Sequence, residues 1–256
     1  MTLLTEALKM PENSYVNDRL YKKMFLEQPD LSSADKRLIK EKIKNITLHN
    51  VLNLQSTGIK PFVDDTRAYR ELYLIELELE DTRKYKRIAE LIQMTIPHPV
   101  CLILTSEDKT TITLAQKRFN QNDKTKITVE EYLFTEWFDP RQLDDRQQNF
   151  IISLDSRNFP YTNFYQFYSA LFNGILRYNL SKYIGTFSND NFKTLSVQDI
   201  KDKTNEFESI ENSILELRRK IQRESNFSQK LRMNDEIGTL KKGRKELIEH
   251  LSVFQN

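Results

Sequence analysis

The residues best placed to do chemistry are carboxylates. The segment ELYLIELELE (71–80) sets Glu76, Glu78 and Glu80 at alternate positions, and Asp64-Asp65 lies just upstream. In a strand, side chains at i, i+2 and i+4 share one face. Converging carboxylates can hold a hard divalent cation, and a neighbouring lysine can then help activate a water. Metal-dependent nucleases use such a set, usually as Asp…Glu-x-Lys. Here no lysine sits two positions after any of these glutamates, and Lys84 and Lys86 fall on the next element. Two readings stand side by side. Asp64, Asp65, Glu76 and Glu78 form a divergent nuclease centre, or the glutamates simply line a solvated sheet face. The second is preferred because strand alternation alone accounts for it.

The other reactive side chains are scattered. His49, His98 and His250 have no metal-ligand spacing between them. His98 lies between Pro97 and Pro99 and reads as a turn or packing residue. Cys101, inside the apolar run VCLILT, reads as a buried structural thiol. A lone cysteine allows neither an internal disulfide nor a cysteine-based zinc site. There is no G-x-x-x-x-G-K-[ST], no G-x-G-x-x-G and no G-x-S-x-G. No catalytic residue, metal or cofactor is assigned, and the expectation leans away from an enzyme.

The most distinctive pattern is C-terminal. Phe207, Ile210, Ile214, Leu217 and Ile221 recur at heptad spacing. Met233, Ile237, Leu240, Leu247 and Leu251 hold a second phase, with Arg244 occupying the position between the last three. The phases do not match across 222–232. That predicts two antiparallel helices joined near Ser225–Ser228, with one long stuttered helix as the alternative. Arg218, Arg219, Lys220, Arg223, Lys230 and Arg232 gather around the predicted turn. They suit a docking surface for another protein, packing on the body, or contact with nucleic-acid phosphate. An ordinary solvated surface, with Glu224, Asp235 and Glu236 as partners, leaves Phe227 and Asn234 unexplained.

These residues need elements to position them. Ser32 precedes Leu38, Ile39 and Ile43 at helical spacing, so a capped helix is expected to run to about Asn45. Ile46–Leu54 alternates as a strand, and 55–70 reads as a loop around Gly58 and Pro61. Residues 71–80 form the next strand, with Tyr73, Ile75, Leu77 and Leu79 on the face away from the glutamates. Asp81 and Thr82 are expected to cap a helix carrying Tyr85, Ile88, Leu91, Ile92 and Ile96. VCLILT reads as a strand buried on both faces, paired in a hairpin with TITLAQK, and ITVEEYLFTEWF follows as a further strand. Residues 140–160 read as loop between Pro140 and Pro160, with Phe150–Leu154 as a short apolar segment within it. The run from Tyr161 to Gly185 reads as a helix with a wide apolar face.

The expected class is therefore α/β (α+β): a mixed sheet with packed helices over 1–190, then a coiled-coil helical arm over 196–256. Aromatic content of 11% supports a real core, and charged content of 30% suits an exposed helical arm. A net charge of +2 excludes a generic polyanion binder while leaving local patches open. No apolar run reaches the roughly 20 residues needed to span a bilayer, and no leader is read at the N-terminus. With the single cysteine, this points to the cytoplasm.

The order of these blocks resembles a family. LYLIELELEDTRKYKRIAELIQMTIPHPVCLILTSEDKTTITLAQKR is similar to the core of a prokaryotic family, domain of unknown function 4391 (DUF4391). RKIQRESNFSQKLRMNDEIGTLKKGRKEL resembles its helical tail, and SYVNDRLYKKMF and IKNITLHNVLNL its N-terminal blocks. The resemblance implies motif positions at Phe227, Lys230 and Asn234 and no catalytic residues. It also implies a neighbourhood of helicases and DNA methyltransferases in restriction-like or phage-defence gene clusters. The expected role is a non-enzymatic accessory subunit docking such a partner. Phe227, Lys230, Asn234, Arg218, Arg219 and Arg223 are the candidate contact residues. The alternatives are the nuclease and a direct DNA-binding protein.

Overall fold

The computed structural model describes residues 2–28, 31–190 and 192–255. It divides into two compact units, 1–175 and 176–256.

The first unit opens with helix α1 (Leu3–Ala7), strand β1 (Tyr15–Arg19) and helix α2 (Lys22–Leu26). Helix α3 (Ser33–Lys42) is capped by Ser32, whose hydroxyl accepts from the Asp35 N–H. It ends earlier than the periodicity suggests, and strand β2 (Ile43–Leu52) takes over at Ile43. Helix α4 (Leu54–Thr57) and the short strands β3 (Phe62–Val63) and β4 (Ala68–Tyr69) lie where a loop is expected. Strand β5 (Leu72–Leu79), helix α5 (Tyr85–Thr95) and strand β6 (Val100–Ser106) form a parallel crossover; strands β7 (Lys109–Phe119) and β8 (Ile127–Phe134) complete the sheet. Among the described residues the large sheet has the order β1-β2-β5-β6-β7-β8, parallel only between β5 and β6.

One face of the sheet is sealed by aliphatic packing. Ile75, Leu77 and Leu79 of β5 meet Ile88, Leu91 and Ile92 of α5 and Ile39 of α3. The α5 start corrects the expected cap. Asp81 ties Lys42 and Arg83 together instead, and the helix begins after Lys84 in a left-handed conformation (φ 58°). Residues 145–153 form helix α6 (Asp145–Ser153), where a loop is expected. Asp144 and Gln147 close a reciprocal capping box at its start.

Pairing of β6 with β7 runs from Ser106↔Lys109 only to Leu102↔Thr113. Beyond it the strands splay, and a hydroxyl from helix α7 (Phe164–Ser181) fills the gap. The Tyr168 oxygen accepts from the Ala115 N–H at 2.9 Å and reaches the Val100 carbonyl at 3.1 Å. This satisfies backbone groups that the sheet ladder has released.

In the second unit, helices α8 (Val197–Arg223) and α9 (Phe227–Ser252) pack as an antiparallel hairpin. Its seam is Ile214, Leu217 and Ile237, flanked by Ile210, Ile221, Met233 and Leu240. At its root, Phe207 stacks on Tyr183 with centroids 4.3 Å apart. The turn, Glu224–Asn226, works without Gly or Pro. The Glu224 carboxylate accepts the N–H groups of Ser225 and Asn226, and Asn226 caps α9 by accepting from Gln229. Side-chain acceptors thus satisfy backbone donors that a tight turn would leave bare.

Candidate functional site

The acidic face of β5 is only partly solvated. Glu78 is exposed and lies 3.8 Å from Lys44. Glu76 is half-buried, and its Oε2 lies 3.1 Å from His49 Nε2 and accepts from the Thr5 hydroxyl at 3.1 Å. His49 comes from β2. The register passes from Leu48↔Ile75 to Asn50↔Leu74, so His49 is the extra residue of a β-bulge. A bulge re-aims a side chain, and this one turns the imidazole inward. Burial pushes the Glu76 carboxyl upward, but hydrogen bonds and charge from His49, with the Thr5 hydroxyl, outweigh it and leave the group below its ordinary value.

His49 is 6% exposed, and its Nδ1 is buried without a hydrogen-bond partner. Beside it a cleft of about 290 Å³ is lined by Thr5, Glu6, Lys9, Glu12 and Tyr15. Lys9 is tied to Asp155 at 3.0 Å. A carboxylate on Nε2 fixes the ring and its proton, as in enzymes that use imidazole as a base. Among the described residues, no group of three His, Cys, Asp or Glu side chains could hold a metal ion.

The four carboxylates of the nuclease reading are not gathered. Asp64 accepts from the Thr66 N–H and hydroxyl and from the Arg67 N–H, closing the β3–β4 turn, and Asp65 is exposed. The Thr66 carbonyl accepts from Phe119 at the far end of β7, two strands from β5. Two strand spacings are about 10 Å, beyond shared coordination of one cation.

Lys117 on β7 is a second buried polar residue that the pattern does not reveal. It is 2% exposed, and its Nζ donates to the carbonyls of Ile96 and His98, both at 2.7 Å. Burial pushes its ammonium down to about 7. The lysine satisfies the backbone at the end of α5, where His98 sits half-buried against Tyr73. Cys101 is fully buried, and burial pushes its thiol well up, away from reactivity.

On the hairpin, Phe227 is 77% and Leu231 54% exposed. Lys220 pairs with Glu216 and Arg244 with Glu211, whereas Arg218, Arg219, Arg223 and Arg232 have no ion-pair partner among the described residues. The Asn234 amide donates to the Lys230 carbonyl within its own helix. Arg218, Arg219 and Arg223 precede the turn, and Phe227, Lys230 and Asn234 follow it. The hairpin therefore brings the predicted contact residues to one end of the arm.

The family described as Domain of unknown function (DUF4391) matches residues 8–247 of the 256-residue chain. The chain belongs to the DUF4391 family. The DUF4391 match takes in His49, Glu76, Lys117 and the whole hairpin turn, and leaves Thr5 outside. No curated protein and no solved structure matches this DUF4391 chain. No helix among its described residues is long and apolar enough to cross a membrane.

Proposed function

We propose that this DUF4391 protein is a cytoplasmic, non-enzymatic accessory subunit of a DNA-processing or anti-phage system. The sheet unit serves as scaffold, and the helical hairpin docks a larger protein, a helicase or a DNA methyltransferase. One observation carries the reading: charge and exposed apolar surface are segregated together at the turn end of the hairpin. Residues 218–234, on either side of the turn, hold six Lys or Arg against one Asp or Glu, a net +5 in a chain whose total is +2. Phe227 and Leu231 stand exposed in the same stretch. Exposed aromatic side chains beside arginines are the composition of interface anchors. The test is co-purification of the full-length chain with whichever helicase or methyltransferase is encoded beside it. Binding that disappears on combining Arg218→Glu, Arg219→Glu and Arg223→Glu supports the reading. Absence of binding, or binding indifferent to the three changes, refutes it.

The same +5 favours a second reading, direct contact with DNA phosphate. That reading requires affinity for duplex DNA to fall steeply as salt rises. A flat salt response removes it.

A further inference from the structure

The hairpin carries a second seam that its own packing does not use. On α9 the internal seam runs Met233, Ile237, Leu240. Advanced by one residue, Phe227, Leu231, Asn234, Gly238 and Lys241 repeat the same four-three spacing, and all five are exposed. On α8, Glu211, Leu215, Arg218 and Gln222 stand one residue on from the internal Ile210, Ile214, Leu217 and Ile221. A step of one residue turns about 100° around a helix. In an antiparallel pair, that turn brings both offset seams to the same side. A groove of about 610 Å³ lies there, lined by Glu211, Ile214, Leu215, Arg218, Lys241 and Arg244.

Gly238 sits in the middle of this outer seam. Glycine inside a helix is destabilising relative to alanine. A Cβ added there would meet nothing within 4 Å, and no left-handed backbone demands glycine. Nothing within the chain requires the missing side chain. The open face it leaves lets a second backbone approach α9 closely.

The groove also states the charge of its occupant. Its one carboxylate, Glu211, is already paired with Arg244, while Arg218 and Lys241 have no ion-pair partner among the described residues. Leu215, 46% exposed, supplies the apolar floor. Phosphate would engage the cations and leave Leu215 and Leu231 in water. An acidic helix with a leucine stripe satisfies both. Resting on the docking role proposed above, we infer that the α8–α9 groove receives an acidic amphipathic helix of the partner protein. That helix completes a three-helix bundle and crosses α9 at Gly238.

The probe is a fluorescent synthetic peptide of three heptads, leucine at the seam positions and glutamate beside them. Its lysine counterpart and a short DNA duplex serve as competitors. Anisotropy is read with the full-length protein. The glutamate peptide is expected to bind at least about tenfold more tightly than the lysine peptide. Gly238→Trp, which sets an indole on the outer seam one turn from Lys241, is expected to abolish that preference, and Gly238→Ala to weaken it while raising the melting temperature. Circular dichroism confirms that each variant keeps its helices. Equal binding of the two peptides, or full binding by Gly238→Trp, overturns the inference. So does a duplex that displaces the glutamate peptide from wild type and from Gly238→Trp alike. If the arginine reversals release the natural partner while Gly238→Trp does not, docking stands and the groove falls. If neither change affects it, docking itself falls.

Discussion

Nε2 of His49 lies 3.1 Å from Oε2 of Glu76, although His49 is the residue that the β2 bulge leaves out of register with β5. The pair occupies a sheet face that water would otherwise reach, and the Thr5 hydroxyl closes it. Because the folded state holds the Glu76 carboxyl below its ordinary 4.5, the group stabilises the fold fully above that value. The contribution is lost as pH falls through the lowered folded value. Glu76→Gln is expected to cost about 1–3 kcal/mol at neutral pH. The gap between variant and wild type should narrow as pH drops below 4.5. Urea titrations across that range measure it; a gap that stays constant means the carboxylate charge is not what matters.

Lys117 gives the same direction of pH dependence from a different cause, burial of its charged form. Its ammonium, brought down from 10.5 to about 7, releases a proton in the folded protein before it does in the unfolded chain. Between those values the unfolded state binds more protons, so stability rises with pH, by up to about 1.4 kcal/mol per unit. Lys117→Met is expected to flatten that rise. It also leaves the Ile96 and His98 carbonyls without their donor. Thermal melts at intervals above neutral pH check both effects.

Much of the scaffold was legible because period and burial agree there. The alternation of Tyr73, Ile75, Leu77 and Leu79 does face the α5 side, and VCLILT is buried throughout, as a central strand must be. Failures came where a distant element or a local polar device decides. Alternation made Glu76 look solvated, but it cannot show that Thr5 and a bulged His49 cover that face. The bulge itself breaks the period that would have announced it. Helix α6 was hidden between Pro140 and Pro160, although Asp144 and Gln147 stand at capping-box spacing. The hairpin, by contrast, was legible from the change of heptad phase near Ser225–Ser228, although its turn carries no Gly or Pro and Glu224 and Asn226 work through their side chains.

The hairpin's narrow seam makes it the place where truncation shows locally. Ile214→Ala removes one of three buried side chains and is expected to cost about 2–4 kcal/mol. Amide hydrogen exchange should quicken in α8 and α9 and stay unchanged in β5 and β6. Uniform quickening through the sheet contradicts this.

The Asn226 side chain caps the start of α9 by accepting from the Gln229 N–H. Asn226→Ala is expected to cost about 1 kcal/mol. Faster exchange should be confined to the first turn after Phe227, with Ile237 protected as before.

The central claim is that the hairpin meets another protein. Hydrogen exchange of the full-length chain, alone and with the helicase or methyltransferase encoded beside it, tests this most directly. The account predicts new protection in 211–241 on both helices, erased when Arg218, Arg219 and Arg223 are changed to glutamate. Protection confined to the sheet unit, with the hairpin exchanging as it does alone, contradicts it.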